Sequence, residues 1–87
     1  MALSFPNQNR FYDATRSAVR FWGNDSAMEA SFFVNADALK RIDPDMLFDE
    51  VGLLSVFDSN RKLIYATAGK VYQRRHMGSY DLVATDF

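Results

Sequence analysis

From Asp43 to His76 the chain keeps one apolar stripe, and that stripe limits what the rest can be. Apolar side chains fall at Leu47, Val51, Leu54, Phe57, Ile64, Ala68 and Val71, in steps of three, four or seven. Such spacing places residues on one face of a helix. The start is signed by Asp43, whose carboxylate can accept from a free backbone N–H, and by Pro44, suited to the first helical position. Ile42 and Leu47 fill the two positions of a hydrophobic staple. About thirty residues of helix span roughly 45 Å, whereas a compact chain of this length is only about 30 Å across. Either the helix breaks at Asp58-Ser59-Asn60, where a second N-cap can form, or its overhang packs on a second copy. Phe57, Ile64 and Ala68 keep one stripe across that tripeptide, with the step at Arg61 covered by its aliphatic stem. The expectation is therefore a continuous helix.

Charge follows the same axis. Asp43, Asp45, Asp49, Glu50 and Asp58 occupy the first half, and Arg61, Lys62, Lys70, Arg74 and Arg75 the second, followed by His76. Acids near a helix N-terminus and bases near its C-terminus both favour the macrodipole. The plainer reading of the split is thus dipole complementarity and solubility, not a functional patch.

Eighty-seven residues leave room for one domain, 1–87, and for no second. With no cysteine, neither a disulfide nor a thiolate zinc site can support so small a core. Eight Phe, four Tyr and one Trp imply either an aromatic-rich core or aromatics in an oligomer interface. A net charge of −1 argues against a polyanionic partner. Met1 to Pro6 lacks the basic and apolar regions of a secretory signal, and no apolar run approaches the length of a membrane span. The default is a soluble cytoplasmic protein with no membrane association.

Ahead of the stripe the signals are for strands. Leu3 to Phe5 is stopped by Pro6-Asn7, and Arg10 to Tyr12 is followed by a turn over Asp13 to Arg16. Ser17 to Trp22 and Ala27 to Val34 flank a tight turn at Asn24-Asp25. Pairing Trp22 with Ala27 puts Val19, Phe21, Met28, Ala30, Phe32 and Val34 on one face. Arg20, Trp22, Glu29, Ser31 and Phe33 take the other, where Trp22 and Phe33 are candidates for an exposed apolar patch. Asn35 caps a short helix over Ala36 to Ile42. Beyond Met77-Gly78, Ser79 to Ala84 reads as a last strand. The sum is a two-layer α+β fold: a small antiparallel sheet of about four strands packed on one long helix in the C-terminal half, plus a short helix.

SFPN at Ser4 to Asn7, YDA at Tyr12 to Ala14, VRFWG at Val19 to Gly23, FFV at Phe32 to Val34, AL at Ala38-Leu39, FDSNR at Phe57 to Arg61 and DF at Asp86-Phe87 run through nearly the whole chain. In these pieces the sequence resembles a family of small bacterial proteins catalogued only as a domain of unknown function. The resemblance implies a bacterial, stand-alone α+β protein and brings no activity.

The residues offer no catalytic, cofactor or metal signature. His76 is the only histidine and has no spaced Asp, Glu or Cys partners. No Ser sits at a glycine-flanked elbow, and the glycines form no phosphate-cradling loop. Arg10, Asp13 and Arg16 read as a capped turn with a surface ion pair. Lys70, Tyr72, Arg74, Arg75 and His76 mix bases with an aromatic, as single-strand nucleic-acid sites do; the plainer reading is a helix C-terminus satisfying its own dipole. Arg61 interrupts the stripe and either exposes its head or pairs with a carboxylate such as Asp58.

The function these features favour is a non-catalytic interaction module that self-associates, most simply as a homodimer, through the overhanging helix or the Trp22–Phe33 sheet face. Trp22, Phe33, Arg61, Arg74 and Arg75 are its candidate interaction residues. The alternative is weak nucleic-acid binding at the basic end of the helix. An enzyme would need a pocket of converging polar groups around Arg10, Asp13, Arg61 or His76.

Overall fold

Alternating inward and outward side chains build the central hairpin. In the computed structural model, which describes residues 3–26, 28–74 and 79–87, β3 (Ala18–Asp25) pairs antiparallel with β4 (Met28–Asn35). Val19 faces Val34, Phe21 faces Phe32 and Gly23 faces Ala30, all buried. The faces are those expected, but the register differs by four residues. Trp22 lies opposite Ser31, because the strands run on through Asn24 and Asp25 and turn beyond them. Ser26 there takes φ 56°, the left-handed conformation that two-residue hairpin connections favour. A slip of an even number leaves every side chain on its own face. Only Met28, now at the hairpin end, is exposed instead of buried. Ala27 lies outside the described residues.

Two short strands share the free edge of β3. β1 (Leu3–Ser4) pairs with its far end and β2 (Phe11–Asp13) with its near end. Between them Phe5 turns inward and stacks on Tyr65 with ring centroids 4.1 Å apart. Gly23 makes room for it: a Cβ there would come within 2.9 Å of the Phe5 ring. β5 (Ser79–Leu82) joins the other side of β4 in parallel, since the chain crosses back through helices before entering it. The sheet thus has five strands among the described residues, one of them parallel to its neighbour.

α1 (Ala36–Ile42) begins where Asn35 accepts the Ala38 N–H at 2.8 Å, as expected. The long stripe resolves differently. The helix does not start at Asp43. It starts as α2 (Glu50–Ser59), capped by Asp49, which accepts the Gly52 N–H at 2.7 Å. Nor is it continuous: α3 (Arg61–Arg74) follows a break at Asn60. The Asn60 N–H bonds the Phe57 carbonyl, its side-chain amide donates to Val56 O, and its own carbonyl accepts from Ile64. One residue therefore ends one helix and begins the next. The body is 36 Å in its longest dimension, shorter than the roughly 45 Å of one continuous thirty-residue helix. Met77-Gly78, expected to stop the helix, lies outside the described residues.

The core sits between the inner sheet face and the helices. Leu53, Val56, Phe57, Ile64, Ala68 and Val71 meet Val19, Phe21, Phe32, Val34, Tyr80 and Leu82. Phe21, Phe32, Phe57, Tyr72 and Tyr80 pack with centroids 5.2–6.5 Å apart. Pairs of this kind add about 0.5–1.5 kcal/mol each beyond the area they bury. Much of the aromatic surplus therefore belongs to the core.

Candidate interaction site

Three places gather chemistry at the surface. The first is the junction of α2 and α3. Arg10 reaches across from the N-terminal loop and holds Asp58 with both ends of its fork, Nε to Oδ1 at 3.0 Å and Nη2 to Oδ2 at 2.8 Å. Arg61, one of the expected interaction residues, donates to the same carboxylate at 2.8 Å, to Tyr65 Oη at 2.8 Å and to the Gln8 carbonyl at 3.0 Å. Its guanidinium lies 4.9 Å from the Phe57 ring centroid. The Arg10 hydrogen bonds, with help from Arg61, hold the Asp58 carboxyl below the usual carboxylate range against partial desolvation. The Arg10 guanidinium moves upward for the same reason. A shallow hollow opens beside the trio, lined by Gln8, Asn9 and Phe11. Each guanidinium is already spent on Asp58 or on the chain, so the trio fastens the N-terminal loop to the helices.

The second place is the sheet face without helices. Phe11 is 60% exposed and meets Trp22 edge-on at 5.6 Å. Trp22 is half-buried, with Arg20 5.1 Å from its ring. Phe33 is only 7% exposed, because Arg16 lies 4.2 Å over it. Asp13 accepts the Arg16 N–H at 3.1 Å and so caps its turn, while Arg10 turns away to Asp58. The expected Trp22–Phe33 pair is brought to one face, with its outer member under an arginine.

The third place includes Leu47 and Val51, which the apolar stripe put on the helix face packed against the sheet. Leu47 is 70%, Phe48 60% and Val51 76% exposed, in the turn before α2 and its first residues. Asp45, Asp49 and Glu50 are their exposed neighbours along the chain, and Lys40 Nζ lies 5.4 Å from the Phe48 ring centroid. What folds this lobe back is Gly52, where a Cβ would overlap the Leu47 carbonyl oxygen. Met46, the neighbour of Leu47, enters the core in its place. A signal was present: eight apolar residues between Met46 and Phe57 are more than one helix face can bury.

Arg74 is exposed and pairs with Asp86 at 3.6 Å. Arg75 and His76 lie outside the described residues, so the basic end is seen only in part. Among the described residues no group of acids or histidines can hold a metal ion, and no helix is long and apolar enough to cross a membrane.

A family model described as a protein of unknown function (DUF1488) matches residues 3–83. The crystal structure of a DUF1488-family protein of unknown function from Shewanella loihica PV-4 is similar over 92% of this chain and 90% of its own, with a TM-score of 0.79 and 19% identity. At that identity the likeness speaks for the fold alone. No curated protein matches the chain. The fold likeness and a family match spanning almost the full length agree, and the chain belongs to the DUF1488 family.

Proposed function

We propose that this chain is a non-catalytic interaction module that works by self-association, with the Leu47–Phe48–Val51 patch as its contact surface. The observation that supports this is the exposure of three large apolar side chains within five residues, whereas the other exposed ones among the described residues, Phe11, Met28, Leu63 and Val83, lie far apart along the chain. Apolar surface gathered in this way is characteristic of association sites, whereas scattered single residues are not. The stripe expected to form one overhanging helix is divided among the described residues between α2, α3 and the turn before them, and two of its residues, Leu47 and Val51, supply the contact. The bacterial setting that the resemblance implies belongs to the same proposal.

The test is sedimentation equilibrium of the wild type and of a Leu47→Ser/Val51→Ser variant. The wild type is expected at twice its 10.0 kDa chain mass and the variant at that mass once. Both side chains are in water, so the variant retains its circular dichroism. A wild type that stays monomeric near ~100 μM, about −5.5 kcal/mol on the affinity scale, ends the proposal.

A further inference from the structure

The break at Asn60 removes the dipole explanation for much of the charge split. Asp58 lies in the last turn of α2, and Lys62 in the first turn of α3, which holds no acid. Both positions oppose the macrodipole. Asp43 and Asp45 precede α2 altogether. Arg61 and Asp58 answer each other, and Arg74 has Asp86. Among the described residues, Asp43, Asp45, Asp49 and Glu50 make no ion pair, and neither do Lys62 and Lys70. Asp49 caps α2 and Glu50 stands in its first turn, where the dipole favours acids, so Asp43, Asp45, Lys62 and Lys70 are the charges left with neither an ion pair nor a dipole to answer them.

The two surfaces also match in apolar character. α3 turns Ile64, Thr67, Ala68 and Val71 inward, which leaves Lys62, Leu63, Ala66 and Lys70 facing out. Leu63 is half-exposed, Ala66 is small, and nothing stands within 4 Å of where a Gly69 side chain would be. A basic, partly apolar helix face is a chemical counterpart for exposed apolar side chains that have Asp45, Asp49 and Glu50 beside them in the chain. Size points the same way. A stable interface buries about 800 Å² per partner, more than three side chains expose, so the contact must run on beyond Leu47, Phe48 and Val51.

We infer that the occupant of the Leu47–Phe48–Val51 patch is the α3 face of a second copy, and that the contact is reciprocal. Two equivalent lobe-to-α3 contacts then form one two-fold dimer. The charges on each surface set its partner and orientation, while the apolar side chains hold it. This rests on the self-association reading above and names its partner surface.

Charge exchange tests it. Asp45→Lys/Glu50→Lys reverses two of the acids beside the patch in the chain while sparing the Asp49 cap. Lys62→Glu/Lys70→Glu reverses α3, and an acid at position 62 suits the first turn of that helix. Each variant alone is expected to sediment as a monomer where the wild type is a dimer, because both of its contacts oppose like charges. An equimolar mixture is expected to regain twice the 10.0 kDa mass, since each contact then joins opposite signs. That recovery also shows that both variants are folded. If Leu47→Ser/Val51→Ser is monomeric but the charge variants stay dimeric alone, the patch reading stands and the α3 partner is overturned. If the wild type is monomeric, both fall, and retention of α3 on single-stranded DNA would reassign that face to a polyanion.

Discussion

Asp58 is a residue through which distant parts of the chain are tied together. It joins an arginine 48 positions earlier to one three positions later, and those arginines tie the Gln8 carbonyl and Tyr65 into the same node. Its carboxyl is held below the ordinary range chiefly by the Arg10 hydrogen bond, so it contributes to stability in a definite sense. A carboxylate with a lowered native pKa stabilises fully above its unfolded pKa of about 3.9. The contribution disappears as the pH falls through that value and then the lower native one. The side chain is 40% exposed, so solvent screening keeps the effect near ~1 kcal/mol. Asp58→Asn is expected to lower stability by about that amount at pH 7. The difference from wild type should shrink towards pH 3. Urea unfolding at the two pH values measures it, and an equal deficit at both would show that the carboxylate charge is not what matters.

At the level of elements, local rules were legible and choices between equivalent options were not. α1 was readable because Asn35 is a cap with no competitor nearby, and the strand faces were readable because alternation is a property of each strand alone. The hairpin register was not, since turns at Asn24-Asp25 or two residues later give the same faces. The start of α2 was misplaced because Asp43-Pro44 carries the same signature as Asp49, which is the residue that caps. The break at Asp58-Ser59-Asn60 stood as one of two readings, and the continuous helix was preferred to it because an apolar stripe looks the same whether one helix carries it or two do. The exposed lobe escaped notice because its fold depends on a backbone approach at Gly52 that no periodicity reports. That approach makes an opposed pair of effects testable. Alanine is favoured over glycine inside a helix by about 1 kcal/mol, yet a Cβ at position 52 meets the Leu47 carbonyl, and overpacking costs roughly 1–3 kcal/mol. Gly52→Ala is expected to lower the urea midpoint, because backbone cannot swing aside as a side-chain tip can. A raised midpoint would mean that the lobe moves away freely and that propensity decides.

For the whole molecule the question is how an 87-residue chain of near-neutral charge came to keep its signs apart. Within one copy the separation has a cost, since Asp43, Asp45, Lys62 and Lys70 make no ion pair among the described residues. In the dimer proposed above it becomes attraction, and stability becomes tied to concentration. A partner that binds only the folded state raises the apparent stability by mass action. The melting temperature of the wild type is therefore expected to climb with protein concentration, while that of Leu47→Ser/Val51→Ser stays level. Salt separates the two parts of the contact. The screening length falls from about 10 Å at 0.1 M to about 3 Å at 1 M, which weakens the charge pairs and leaves apolar burial in place. The dimer is expected to loosen by roughly tenfold in Kd over that range, about 1.4 kcal/mol, without dissociating entirely. Complete dissociation would assign the contact to charge alone and leave the exposed Leu47, Phe48 and Val51 without a part in it. No salt effect would make the separation of signs irrelevant to assembly.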